Sequence, residues 1–75
     1  MATNHSMALI PANVYPSGNV ELLPYRGYTV VLDGVNIGQI YEAGERWSYI
    51  TPQGYFASEF RTRRRCIDTL LSLVK

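Results

Sequence analysis

The residues with the most distinctive chemistry lie close together near the C-terminus, in the stretch EFRTRRRC. Four of the seven basic residues of the chain fall between Arg61 and Arg65. A guanidinium presents a planar fork of donors that matches phosphate and carboxylate oxygens. The chemistry open to Arg61, Arg63, Arg64 and Arg65 is therefore anion binding, to a nucleic-acid backbone or to an acidic protein surface. Their position sharpens the point. Thr62 is a competent helix N-cap, and the N-terminal end of a helix already carries partial positive charge. A capping box would place Glu or Gln at position 65, where this chain has Arg. Each misplaced cation costs a few tenths of a kcal/mol, which an external anion would offset.

An internal explanation competes with this one. At about 100° per residue, Arg63 and Arg64 prolong the stripe that begins at Ile67, and their stems can cover the core edge. Asp68, four residues after Arg64 and three after Arg65, and Glu59 are then the offsetting acids. Arg65 points outward beside Thr69 and Ser72 and is the arginine with least internal use.

Other chemistries find little material. His5 is the single histidine and Cys66 the single cysteine, and Cys66 sits on a helix flank beside the expected core, where a thiol is inert. Asp33, Glu42 and Glu45 make or bracket turns, with no paired carboxylate in a cleft. Soft metal ligands are too few for a site, and DGVNIG lacks the glycine spacing, lysine and helix of a phosphate loop. The expectation is a protein without catalytic residues, metal or cofactor.

Aromatics form the second resource: six Tyr, two Phe and one Trp. Trp47, Tyr49, Phe56 and Phe60 suit a core or cross-strand packing. Tyr15, Tyr25 and Tyr41 are harder to place inside, and an exposed Tyr can stack on a base or anchor an interface. Tyr41 accordingly joins Arg46, Arg61, Arg63, Arg64 and Arg65 as a candidate contact to nucleic acid or an acidic partner.

The elements that must position these groups are legible. Asp33-Gly34 between two β-rich runs is a strong hairpin signal. A two-residue loop sets Leu32 opposite Val35, Val30 opposite Ile37 and Tyr28 opposite Gln39. Tyr28, Val30, Leu32, Val35 and Ile37 then share one face, with Thr29, Val31, Asn36, Gly38 and Ile40 on the other. RWSYIT reads as a third strand alternating Trp47 and Tyr49 against Arg46, Ser48 and Ile50. TPQGY is a turn with a glycine bulge, and YFAS a short fourth strand. From Thr62 onward, Ile67, Leu70, Leu71 and Val74 repeat at helical spacing, flanked by Cys66 and Leu73. The fold class is α+β: an antiparallel meander of three or four strands covered on one face by a single C-terminal helix. Residues 1–19 read as an extended or flexible arm with an edge strand near 7–10, and residues 20–75 as the two-layer domain. Val31, Ile40 and Ile50 fall on the uncovered face, so the arm, a second copy or another protein is expected to cover them.

Size and composition bound the rest. At 75 residues the chain is one domain, and stability rarely exceeds about 5 kcal/mol without help. Hydrophobic residues reach 47% against 17% charged, which favours a folded chain. One cysteine excludes an internal disulfide and points to a reducing cytoplasm. No apolar run approaches the roughly 18 residues of a membrane span, and MATNHSMALIPANV is not a secretory signal. Net charge is only +1, so any nucleic-acid contact must be local.

From Tyr28 to Leu71, the order of sheet then helix, with Gly34, Gly38, Trp47, Gly54, Phe60 and the helix-opening Thr62, resembles small DNA-binding domains of the AP2 type. These include the arm-binding domains of phage integrases. The layout is also similar to short accessory proteins of phages and mobile elements. The resemblance implies a three-stranded sheet backed by a helix, with the strand face on DNA, although this sheet offers only Arg26 and Arg46 as cations. Together these readings predict a small binding protein for nucleic-acid phosphate. The alternative is a protein-interaction module, a phage-type inhibitor or adaptor that uses the exposed aromatic and apolar sheet face; a homodimer is expected in either case.

Overall fold

The computed structural model describes residues 6–16 and 23–74. Five strands, β1 (Met7–Val14), β2 (Tyr25–Leu32), β3 (Val35–Ala43), β4 (Arg46–Ile50) and β5 (Phe56–Phe60), precede one helix, α1 (Arg63–Ser72). The strands form a single antiparallel meander in sequence order, β1-β2-β3-β4-β5. The α+β class is as read from the sequence, with one strand more than expected. That strand is β1, which runs well beyond residues 7–10 and pairs with β2 from Met7↔Leu32 to Val14↔Tyr25. It widens the sheet and does not fold over it. Pro11 is tolerated because an edge strand has a side that needs no donor. His5 and the boundary between residues 19 and 20 lie outside the described residues.

The β2–β3 hairpin turns at Asp33 (φ 52°) and Gly34 (φ 82°), the paired positive φ of a type I′ turn. Leu32 faces Val35 and Val31 faces Asn36, as the turn dictates. The ladder then slips by one: Val30 faces Gly38, Thr29 faces Gln39 and Tyr28 faces Ile40. Ile37 is the extra residue of a β-bulge. The Asn36 side chain holds it in place, its Oδ1 accepting the Gly38 N–H at 2.9 Å. Gly38 adopts φ 150°, and a Cβ there would sit 2.9 Å from the Ile50 carbonyl oxygen and 3.2 Å from Leu70 Cδ1. Only glycine combines that backbone with that proximity.

A one-residue slip exchanges the two faces of everything beyond it. Ile40 therefore points at the helix and is fully buried, which corrects its expected place on the uncovered face. Gln39 takes that place instead and donates from Nε2 to Thr29 Oγ1 at 3.1 Å. The core joins Val30, Ile37, Ile40 and Tyr49 of the sheet to Cys66, Ile67 and Leu70 of α1. Tyr49 and Phe60 stack at 5.8 Å along its margin. The helix stripe keeps Ile67, Leu70 and Leu71 as expected, with Cys66 fully buried at its edge, while Leu73 and Val74 lie past the last helical turn and are exposed.

Candidate functional site

Thr62 caps α1 as its sequence implies, with Oγ1 accepting from the Arg65 N–H at 3.1 Å. The first helical turn contains no acidic residue. Arg61, Arg63, Arg64 and Arg65 are all exposed, and among the described residues none forms an ion pair with Asp68 or Glu59. The internal offset expected for Arg64 is thus not made. Arg61 and Arg65 border a small hollow of about 420 Å³ with Glu59 and Phe60.

Arg63 behaves differently. It lies three and four residues before Cys66 and Ile67, so it continues the buried stripe beyond the core. Its guanidinium carbon stands 5.6 Å from the centroid of the Tyr28 ring, a cation–π contact. Beneath it opens a cleft of about 650 Å³ whose walls include Asn13, Arg26, Tyr28, Glu42, Trp47 and Arg63.

Strand pairing explains this assembly. Asn13 faces Arg26 across β1–β2, and Glu42 faces Trp47 across β3–β4. Carrying the β2–β3 register one step past Gly27↔Tyr41 sets Arg26 across from Glu42. The four side chains form one row on the helix-bearing face, just where α1 starts and leaves the sheet uncovered. Arg26 and Glu42 form no ion pair with each other or with Arg63.

The structure does not bring the other candidates to this place. Trp47 and Tyr49 face the helix, so Arg46 and Ile50 face away from it. Val31 and Ile50 are half-buried on that far face, separated by the Thr29–Gln39 pair. Tyr41 is only 4% exposed and stacks on Tyr25 at 5.0 Å, so it is no stacking platform for a base. Burial raises its phenol above the ordinary value, with a Ser48 hydrogen bond pulling the other way. Cys66 is fully buried, and desolvation pushes its thiol up to about 12, so it supplies no thiolate at neutral pH.

Sequence reasoning missed Asn13, Glu42 and Tyr28 as parts of one site. Asn13 required β1 to be recognised as a full strand. Tyr28 and Glu42 could have been grouped from the bulge, whose signal is two isoleucines three apart around Gly38, incompatible with simple alternation.

Among the described residues no three His, Cys, Asp or Glu side chains cluster as metal ligands, and no helix is long and apolar enough to cross a membrane. Set against family models, curated proteins and solved structures, the chain matches none.

Proposed function

We propose that this chain is a non-enzymatic binding protein that holds nucleic-acid phosphates with Arg61, Arg63, Arg64 and Arg65. The observation that supports it is electrostatic. Four exposed guanidiniums surround a helix N-terminus, with no acid in the first turn and no carboxylate partner among the described residues. That arrangement works against the helix dipole, and a phosphate chain relieves it by taking several guanidiniums at once. Binding of a labelled oligonucleotide should weaken with salt along a log–log slope of about −3 to −4, the value for four phosphate contacts. An Arg63/Arg64/Arg65→Ala variant should bind far more weakly with a flatter slope. Absence of binding below about 100 mM salt, a permissive condition for four contacts, sinks the reading, as does full affinity in the triple variant.

A second reading, self-association, draws support from the other end of the helix. Val35, Tyr55, Phe56, Leu73 and Val74 are exposed there around one groove. Among the described residues none of its lining side chains is charged at neutral pH, which favours the meeting of two copies. A dimeric mass in sedimentation that Leu73→Lys converts to monomer would favour it, and a strictly monomeric mass counts against it.

A further inference from the structure

We propose that the cleft beneath Arg63 seats one nucleotide, whose base carries an exocyclic amine and lies against Trp47. The inference rests on the phosphate reading above and names what the strand delivers beyond its backbone charge. Three features of the cleft must be met together. Arg26 and Arg63 offer two guanidiniums without carboxylate partners among the described residues, which calls for an anion. Trp47 is half-buried, packed against the core on one side and bordering the cleft on the other, which calls for a flat apolar surface. Glu42 is an exposed carboxylate in the same row. A carboxylate only accepts hydrogen bonds, so it repels a second acid and calls for a hydrogen-bond donor such as an amine.

An acidic peptide satisfies the arginines and is rejected by Glu42. A nucleotide carries all three partners: a phosphate for Arg26 and Arg63, a ring for Trp47 and an amine for Glu42. Adenine, cytosine and guanine present such an amine, while uracil and thymine offer only a ring N3–H flanked by two carbonyl oxygens that repel a carboxylate. Asn13, directly across from Arg26, can donate to phosphate or sugar oxygens. The cleft volume of about 650 Å³ falls inside the range of roughly 300–1,000 Å³ usual for ligand pockets.

Trp47 is the only tryptophan in the chain, so its emission reports this cleft alone. Short A, C and U homopolymers are titrated at low salt while Trp47 emission and the anisotropy of a labelled strand are followed together. Adenosine and uridine monophosphate serve as free-nucleotide probes. The A and C strands should quench Trp47 and bind about tenfold more tightly than U, the discrimination of one good base contact. Glu42→Ala should bring the three strands to near parity, and Arg26→Ala should weaken all of them severalfold. Both positions are exposed, and circular dichroism checks that the variants remain folded. Equal quenching by adenosine monophosphate and by the A strand identifies the ligand as a free nucleotide; quenching by the strand alone identifies it as one unit of a chain.

Strand binding with the expected salt slope, but with silent Trp47 and with Arg26→Ala and Glu42→Ala unimpaired, overturns the cleft and leaves the phosphate reading intact. No binding of any strand overturns both. Quenching by poly-glutamate at equal affinity overturns the nucleotide assignment in favour of an acidic partner.

Discussion

The two ends of α1 face opposite kinds of surface. Around its first turn, Arg26, Glu42 and Arg63 surround a cleft with Trp47 and Tyr28. Around its last turn, a groove of similar size, about 630 Å³, is lined by Val35, Tyr55, Phe56, Leu73 and Val74 with no charged side chain among the described residues. The same sheet and the same helix form both. The difference lies in where the helix stops covering the strands, and in which residues the strands present there. At the first end, the exposed sheet row is polar and the helix adds cations. At the last end, the helix has lost its amphipathic register and leaves two aliphatic side chains over the β4–β5 turn. A charged cleft selects a ligand by pattern and answers to salt. An apolar groove selects by shape and is nearly indifferent to salt.

The largest effect is expected in the core between the two ends. Ile40→Ala removes a fully buried side chain and should cost about 2–5 kcal/mol, enough to unfold much of the population of so small a domain. On the half-buried face assigned by simple alternation, the same change would cost about 1 kcal/mol. Urea unfolding of this one variant therefore checks the bulge as well. Gly38→Ala should follow at about 1–3 kcal/mol, since it strains the backbone and presses on Leu70.

Alkaline pH tests the seam between the layers. The Cys66 thiol rises from 9.0 in the unfolded chain to about 12 in the fold. Between these values the folded state holds the proton more firmly. Stability is thus fully present below pH 9 and falls as pH climbs towards 12. The raised Tyr41 phenol acts in the same direction above its ordinary value. Chemical denaturation across this range should show the decline, and Cys66→Ala should flatten it. At neutral pH a thiol reagent should reach Cys66 only at the unfolding rate.

A smaller change separates folding from binding at the charged end. Arg65→Glu supplies the missing capping-box acid opposite Thr62. It should stabilise the helix by about 0.5–1 kcal/mol while weakening oligonucleotide binding. A variant that loses stability, or gains affinity, would mean that Arg65 has an internal role. The smallest effect belongs to the apolar end. Val74→Ser should change stability by less than about 0.5 kcal/mol and leave the salt slope of binding untouched, because that side chain is exposed and remote from the arginines.

Much of this architecture was legible from local chemistry. Asp33-Gly34 between two β-rich runs signals a tight turn of positive φ, Thr62 announces the helix, and Trp47 and Tyr49 alternate against Arg46 and Ser48. Each of these depends on a few neighbouring residues and on backbone sterics, which sequence expresses directly. The arginine run was equally visible, along with its conflict with the helix dipole.

Three-dimensional pairing decided the remainder. Whether MALIPANV lies as a loose arm or pairs as β1 depends on the free edge that β2 offers. Whether Ile40 or Gln39 faces the helix depends on the Asn36–Gly38 hydrogen bond that stabilises a bulge, and one residue of slip reverses both. Which arginines act together depends on the row Asn13–Arg26–Glu42–Trp47, drawn from four strands and closed by Arg63 of the helix. Periodicity along the chain states which side chains share a strand face; only the register between strands states which of them meet.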